Sequence, residues 1–225
     1  MKLKYVSIPL VISLMFMACG TGKNRLTLVC FGDSLTAGYG ATTPGTDNKK
    51  KSYPAFLQKK IKIPVINAGV SGNTTAQGLS RVKDDVLSKN PQIVIIELGA
   101  NDLFQGIPLS TTQNNLQNII TMINNGSRKI YIAKFYTETI ARTMFAALLK
   151  ITDYNEQTVL LNQYDTMFNT LAISNNVVLI DDIWAGVWGI YMSDSMHPNA
   201  KGYEIMADKY FNVLKPYLEA NDLLK

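Results

Sequence analysis

Five short apolar runs, rich in valine and isoleucine, recur along the chain between residues 26 and 180. They are Leu26–Phe31, Ile63–Asn67, Ile93–Leu98, Ile130–Phe135 and Val177–Ile180. A strand with one solvent-exposed face alternates between apolar and polar positions, and most of these runs do not. The pattern therefore predicts parallel β-strands that are covered on both faces.

Between these runs, apolar residues recur every three or four positions, which is the period of an amphipathic helix. The stripes are Leu79, Val82 and Val86; Leu116, Ile119, Ile120 and Ile123; Leu160, Tyr164, Met167, Phe168 and Leu171; and Met206, Tyr210, Val213 and Tyr217. Ser110 and Gln113 form a capping-box pattern ahead of the second stripe, and Asn125-Gly126 is a stop signal after it. Pro216 is expected to end or kink the last helix.

Alternating strands and helices predict right-handed crossovers and a doubly wound α/β fold. We expect a three-layer α/β/α sandwich around a five-stranded parallel sheet. No repeat or linker divides residues 26–225, so one domain is expected. Ligands of such sheets bind beyond the carboxyl ends of the strands, so the residues after each strand are the candidates for function.

The amino terminus has the pattern of an export signal. Lys2 and Lys4 precede an apolar stretch, Val6–Met17, which is shorter than the about 20 residues that span a bilayer. Cys19 follows Ala18 as in a bacterial lipoprotein processing site, where the cysteine becomes the lipidated first residue. We expect residues 1–18 to be a signal peptide and residues 19–25 a tether. Cys19 would then anchor an exported bacterial protein to the cell envelope, on its periplasmic or outer-surface side. The alternative is ordinary signal cleavage or an uncleaved anchor, with Cys19 incidental.

Composition narrows the class of protein. The chain has 225 residues, of which 47% are hydrophobic and 17% charged, and this is typical of a folded globular protein. The net charge is +5, but the longest basic run, Lys49–Lys51, has no interleaved aromatics, so nucleic-acid binding is not expected. Two cysteines and one histidine exclude a disulfide scaffold, a cysteine zinc site and a multi-histidine metal centre. Cys30, in an apolar run, is expected to be buried and inert, and a monomer is the default.

Three of the predicted strands lead into short polar segments. Gly32-Asp33-Ser34-Leu35 follows the first strand, where Ser34 is either a nucleophile or, like Asp33, only a helix cap. The second strand leads to Ser71-Gly72-Asn73, where Gly72 either belongs to a turn of small residues or offers its N–H to an anion. After the third comes Gly99-Ala100-Asn101-Asp102, where Asn101 either forms an Asx-turn or points its amide at the same place. None of these segments decides the question alone.

The segment after the last strand contains the only histidine of the chain, in Asp194-Ser195-Met196-His197. A lone histidine is more often structural than catalytic. Here, however, Asp194 lies three residues upstream and could fix the tautomer of the imidazole, whose other nitrogen would face a hydroxyl. A nucleophile, oxyanion donors, a base and an orienting carboxylate at one sheet edge are the components of an acyl-transfer site.

Together these segments resemble the SGNH hydrolases, also called the GDSL esterase/lipase family. Gly-Asp-Ser-Leu, the glycine of Ser-Gly-Asn, Gly-x-Asn-Asp and Asp-x-x-His stand in the family's order, and the resemblance covers about residues 26–217. The stretches FGDSLTAGYG, NAGVSGNTTAQGL and ELGANDL are most similar to the bacterial arylesterase, thioesterase I and lysophospholipase L1-like branch. The resemblance implies the SGNH or flavodoxin-like version of the sandwich.

The resemblance also implies a serine esterase that hydrolyses carboxylic esters or thioesters through an acyl-enzyme. Ser34 would be the nucleophile, His197 the base and Asp194 its orienting partner. The N–H groups of Ser34 and Gly72 and the amide of Asn101 would form the oxyanion hole. No metal or organic cofactor is implied.

The substrate is open at this stage, with a small-molecule or lipid ester expected. Gly40–Ser52 is a polar loop near Ser34. Tyr136–Thr152, with its apolar Met144, Phe145, Leu148 and Leu149, is either a lid over an acyl pocket or a core-facing helix. Trp184 and Trp188 are candidate pocket walls, although large aromatics more often belong to the core. The alternatives are an O-acetyl-glycan deacetylase of the same chemistry and a non-catalytic envelope-binding lipoprotein.

Overall fold

Five parallel strands form one sheet in the computed structural model, which describes residues 26–225. They are β1 (Leu28–Gly32), β2 (Val65–Gly69), β3 (Ile93–Glu97), β4 (Lys129–Ala133) and β5 (Val178–Ile180). The strand order is β2-β1-β3-β4-β5, and every neighbouring pair is parallel. The chain leaves β1 toward one edge and returns across it to β3, so the sheet is doubly wound, as predicted.

Eight α-helices connect and cover the strands of the described domain. They are α1 (Ser34–Ala37), α2 (Tyr53–Gln58), α3 (Thr75–Asp85), α4 (Ala100–Phe104), α5 (Leu109–Ile123), α6 (Glu138–Leu148), α7 (Tyr154–Asn175) and α8 (Ala200–Ala220). Helix α5 packs against α3 on one side and against α7 on the other, whereas α2 packs against α8. Right-handed crossovers place these two groups on opposite faces of the sheet, which gives the predicted three-layer α/β/α sandwich.

The strand register brings the candidate residues to one level. Gly32 at the end of β1 pairs with Gly69 of β2 on one side and with Glu97 of β3 on the other. The residues that follow these three strand ends therefore emerge together at the carboxyl edge of the sheet. This edge is where a doubly wound sheet binds its ligands.

The core lies on both faces of β1 and β3, whose residues are all buried. Tyr53 of α2 and Tyr210 of α8 stack with ring centroids 4.1 Å apart beneath the sheet. Cys30 is fully buried, as predicted, and burial raises the pKa of its thiol. No helix of residues 26–225 is both long enough and apolar enough to cross a bilayer.

One local prediction about a helix end is wrong. Ser110 and Gln113 do not form a capping box, because α5 already begins at Leu109, directly after Pro108, and no side chain caps it. Proline holds its φ near the helical value, so the chain can turn into the helix one residue earlier than the polar pattern indicates. Among residues 26–225, a reciprocal capping box is formed instead by Thr74 and Gln77, at the start of α3.

Pro216 does not end the last helix, since α8 continues through it to Ala220. The apolar stripe of α8 stays buried on both sides of the proline: Tyr210 and Leu214 precede it and Leu218 follows it. Packing of this stripe against the sheet and α2 outweighs the loss of one backbone hydrogen bond at an exposed position.

Candidate active site

The turn after β1 presents Ser34 at the carboxyl edge of the sheet. Gly32 allows this turn, because a Cβ atom at that position would lie 2.6 Å from the carbonyl oxygen of Glu97 on β3. The Asp33 carboxylate accepts the N–H of Leu35 at 3.1 Å and so caps α1. The cap is therefore Asp33, and the hydroxyl of Ser34 is left to face the other side chains at this edge.

Asp194 and His197 lie in a tight loop between β5 and α8. His197 Nδ1 is 2.9 Å from Asp194 Oδ2 and 3.0 Å from Oδ1, and His197 Nε2 is 3.0 Å from Ser34 Oγ. The loop is closed by a hydrogen bond of 2.8 Å from the N–H of Ser193 to the carbonyl of His197. The structure thus brings Ser34 to the Asp194–His197 pair, which lies far from it in sequence, and the three side chains follow in the order serine, histidine, aspartate.

Asp194 is held in its ionised form by its hydrogen bonds. Partial burial acts to raise the pKa of this carboxyl, but the N–H groups of Met196 and His197 and the His197 ring lower it, and the net shift is downward. Both N–H groups donate to Oδ1 at 2.8 Å. A charged acceptor in this position favours the His197 tautomer with its proton on Nδ1, which leaves Nε2 free to accept a proton.

Two backbone N–H groups lie beside the Ser34 hydroxyl without an acceptor. Neither Ser34 N–H nor Gly72 N–H has a hydrogen-bond partner within residues 26–225. Gly72 has φ +79°, a left-handed conformation that suits glycine, and a Cβ there would meet no atom within 4 Å. Both residues line the same cavity, so their N–H groups are available to an anion.

Asn101, in the first turn of α4, lines this cavity. Its Nδ2 donates to the carbonyl of Asn73 at 3.0 Å and to Asp33 Oδ2 at 3.2 Å. The amide thus connects the turn after β1 with the turn after β2. Ser34, Gly72 and Asn101, predicted as oxyanion donors, all line the cavity.

Arg81 of α3 holds these two turns together, and sequence reasoning did not single it out. Its guanidinium donates to the carbonyls of Gly32 and Ala68 at 2.7 and 2.8 Å, and to Asn73 Oδ1 at 2.7 Å. The group also packs over the ring of Phe31, 4.3 Å from its centroid. An arginine within a mainly polar helix carries no sequence signal for this role.

A cavity of about 330 Å³ opens beside Ser34 and His197. Its polar side is formed by the groups described above. Its apolar side is formed by the side chains of Leu35, Phe104, Phe135, Met144 and Trp184. The apolar side of the cavity therefore lies next to a serine hydroxyl and two backbone donors.

The cavity shows where the candidate wall residues of the loops lie. Residues 136–152 contain α6, which is both a core-facing helix and a cavity wall: Phe145 is buried in the core and Met144 lines the cavity. Trp184 lines it too, and its indole N–H donates to the carbonyl of Phe135 at 2.8 Å. Trp188 does not line it but packs edge-on against Trp184.

Within residues 26–225, no three His, Cys, Asp or Glu side chains are close enough together to hold a metal ion. Cys19 and the rest of the proposed signal peptide and tether lie outside the described residues.

The doubly wound sheet, the Gly-Asp-Ser-Leu turn and the Asp-x-x-His loop at one edge define the class of the SGNH hydrolases. Residues 30–205 match the model of the GDSL-like Lipase/Acylhydrolase family, and the chain belongs to this family. The family predicted from the sequence is thereby confirmed.

Curated relatives carry esterase names. An arylesterase of Vibrio mimicus is 32% identical over 126 residues, which are 53% of this chain and 60% of the relative. The thioesterase 1/protease 1/lysophospholipase L1 of Escherichia coli K12 is 36% identical over 96 residues, 42% of this chain and 43% of the relative. The chain thus spans less than two thirds of both proteins, and both belong to the predicted branch. An uncharacterized lipoprotein of Bacillus subtilis, YqeF, is 30% identical over 128 residues, 52% of this chain and 49% of the relative.

Solved structures confirm the fold. The crystal structure of TesA superposes with a TM-score of 0.68 at 24% identity, over 84% of this chain and 98% of TesA.

Proposed function

We propose that this protein is a serine esterase that hydrolyses carboxylic esters or thioesters through an acyl-enzyme, with Ser34, His197 and Asp194 as its catalytic triad. The observation that carries the proposal is the continuous hydrogen-bonded series Ser34–His197–Asp194, with contacts of 3.0 and 2.9 Å, beside an apolar cavity. Family membership and the names of the relatives support it.

In the proposed mechanism, His197 Nε2 takes the proton of Ser34 as Oγ attacks the ester carbonyl. The carbonyl oxygen becomes an oxyanion, which accepts hydrogen bonds from Ser34 N–H, Gly72 N–H and Asn101 Nδ2. The intermediate collapses, and the leaving alcohol or thiol takes the proton from His197. A water molecule then attacks the acyl-enzyme with His197 again as base, which releases the acid and restores the Ser34 hydroxyl.

Ionised Asp194 stabilises the imidazolium that forms in each step. Without it, the His197 tautomer with its proton on Nε2 would be populated as well, and that tautomer cannot accept the Ser34 proton. The downward shift of its pKa supports this role.

The cavity supports an acyl or aryl group larger than acetyl as the occupant. Its apolar wall would bury such a group from water, and each buried methylene contributes about 0.8 kcal/mol. This favours the arylesterase, thioesterase or lysophospholipase type over a glycan deacetylase, whose acetyl group would leave the wall uncovered. The contact between Ser34 and His197 gives no support to a non-catalytic binding protein.

The test is hydrolysis of p-nitrophenyl esters from acetyl to palmitoyl by the full chain, solubilised in a mild detergent. We expect the wild type to be active and to be labelled on Ser34 by a fluorophosphonate. Ser34→Ala should abolish both, while Ser195→Ala, which removes an exposed hydroxyl from the Asp194–His197 loop, should abolish neither. Activity that survives Ser34→Ala would refute the proposed nucleophile.

We further propose that the mature chain is anchored to the cell envelope by lipid on Cys19. The support is the sequence pattern before Cys19 and the likeness to a lipoprotein. Mass spectrometry of the mature amino terminus tests this: a diacylglyceryl cysteine is expected in the wild type and in Cys30→Ala, whereas Cys19→Ala should leave the protein unanchored. An unmodified residue 19 or a different first residue would refute it.

A further inference from the structure

Two carboxyl side chains lie buried directly under the Ser34 turn, and the proposed mechanism uses neither. Asp33 is 1% exposed, and Glu97, at the end of β3, is 0% exposed. The N–H of Asp33 donates to the carbonyl of Glu97 at 3.2 Å, and the two side chains lie near enough for each carboxyl to shift the pKa of the other. Glu97 interrupts an otherwise apolar strand that is buried on both faces, which is costly unless the group has a partner.

The surrounding donors show which of the two carboxyls carries the negative charge. Asp33 accepts the N–H of Leu35 at 3.1 Å and the amide of Asn101 at 3.2 Å, and the Arg81 guanidinium attracts its charge. Within residues 26–225, the donors to the Glu97 carboxyl come from Thr36 alone: Oε2 accepts the Thr36 hydroxyl at 3.1 Å, and the Thr36 backbone N–H also acts to lower the pKa of the carboxyl. Glu97 Oε1 meets no N–H or O–H donor among the described residues.

Two adjacent buried carboxyls do not both ionise, because each charge opposes the other where water cannot screen them. The charge belongs on Asp33, where the donors are. The proton belongs on Glu97, where an oxygen would otherwise be buried without a partner.

The pKa shifts agree with this assignment. Burial raises the pKa of both carboxyls, and the Asp33 charge raises that of Glu97 further. The neighbouring phenols of Tyr53 and Tyr210 also have raised pKa values, since burial disfavours their charged forms, so they stay neutral.

We propose that Glu97 is a positioning residue of the oxyanion site: as a neutral carboxylic acid, it donates its proton to Asp33 and so holds Asp33 against Asn101 and Leu35. The inference rests on the proposed function, because its consequence falls on the Asn101 amide. Glu97 touches no substrate and acts through Asp33.

The consequence for Asn101 follows from its two bonds. Both protons of its amide are used, one toward Asp33 and one toward the carbonyl of Asn73. An oxyanion must take over one of them. A hydrogen bond to an ionised carboxylate is the stronger of the two, so the Asn101 N–H that donates to the Asn73 carbonyl passes to the oxyanion, while Asp33 keeps the amide aligned.

The test compares two variants of Glu97. Glu97→Gln keeps the shape of the side chain, an N–H donor for Asp33 and an acceptor for Thr36, so kcat should stay within about threefold of wild type. Glu97→Leu removes the donor, and kcat should fall by about 10²-fold, as when one oxyanion donor is lost, with KM little changed. A thermal melt first establishes that each variant is folded.

A double variant separates positioning from general damage. If Glu97 acts through Asn101, adding Glu97→Leu to Asn101→Ala should slow the enzyme by no more than about threefold further. Two independent losses would multiply instead, and that result would overturn the proposal.

Infrared spectroscopy tests the proton without any substrate. The difference spectrum between wild type and Glu97→Gln at neutral pH should contain the carbonyl stretch of a protonated carboxylic acid. If the band is present but the wild type hydrolyses no ester, the proposed function is refuted, whereas the protonation of Glu97 stands. Absence of the band, or a Glu97→Gln variant with 10²-fold lower kcat, would overturn the inference, even if Glu97→Leu does not fold.

Discussion

Met144 offers a direct test of where the acyl group binds. It is the residue of α6 that lines the apolar side of the cavity, and it is 6% exposed. In the wild type, each methylene that enters this side contributes about 0.8 kcal/mol, or about fourfold in kcat/KM. From acetyl to hexanoyl, four added methylenes correspond to a rise of about 200-fold at most.

Met144→Ala removes Cγ, Sδ and Cε from the cavity wall. We expect the optimum of kcat/KM to move to acyl chains about two methylenes longer than in the wild type, because the longer chain fills the new space. Met144→Trp should shift the optimum toward shorter chains, since the indole fills space that the acyl group needs. The assay is kcat/KM for p-nitrophenyl esters of increasing length, measured below the melting temperature of each variant.

The matched control is Met167→Ala. Met167 is 2% exposed on α7 and does not line this cavity, so its loss has a similar cost to folding, about 2–5 kcal/mol. It should leave the chain-length optimum unchanged. If Met144→Ala and Met167→Ala have the same chain-length profile as wild type, the acyl group does not bind in this cavity.

Three further predictions concern single positions. Asn101→Ala should lower kcat by about 10²–10³-fold, the usual cost of one oxyanion donor, and an unchanged kcat would remove Asn101 from the mechanism. Gly72→Ala and Gly126→Ala each force alanine into a left-handed conformation, φ +79° and +82°, and both should lose about 1–2 kcal/mol of stability in denaturant melts. Only Gly72→Ala should also lower kcat, because relief of this strain turns the Gly72 N–H away from the oxyanion, and equal kcat values in two variants that are equally destabilised would contradict a role for this N–H. Pro216→Ala restores an N–H donor inside α8 at an exposed site, so the free energy of unfolding should rise by about 1–3 kcal/mol with unchanged kcat; no gain would mean that the helix has already adapted to the proline.

The pattern of apolar residues was sufficient to predict the fold class. Five runs such as Ile93–Leu98 lie within a residue or two of the observed strands, because a strand buried on both faces must be apolar along its whole length. Helix ends were harder to predict, as Ser110 and Pro216 show. There, backbone geometry and packing outweigh the local preference of a single residue.

Sequence alone also named the polar residues at the strand ends, because ligands of a doubly wound sheet bind there and the four segments stand in the order of a known family. It could not decide whether Ser34 or Asp33 was only a cap. That depends on where His197, far away in sequence, places its ring, and only the folded sheet brings Nε2 to 3.0 Å from the hydroxyl.

The remaining features depend on tertiary contacts that leave no local pattern. Glu97 was not singled out from the sequence, although an ionisable residue in a fully buried strand is a signal that could have marked it. Arg81 had no sequence signal, and Met144 was one of four apolar residues in a segment that was either a lid or a core helix, until the fold placed Arg81 at the strand ends and Met144 at the cavity wall. Residue types and their spacing determined the fold and the chemistry available, because burial and backbone turns act locally. Which groups meet was decided by the crossing of the chain over the sheet, because distances between distant residues exist only in the folded state.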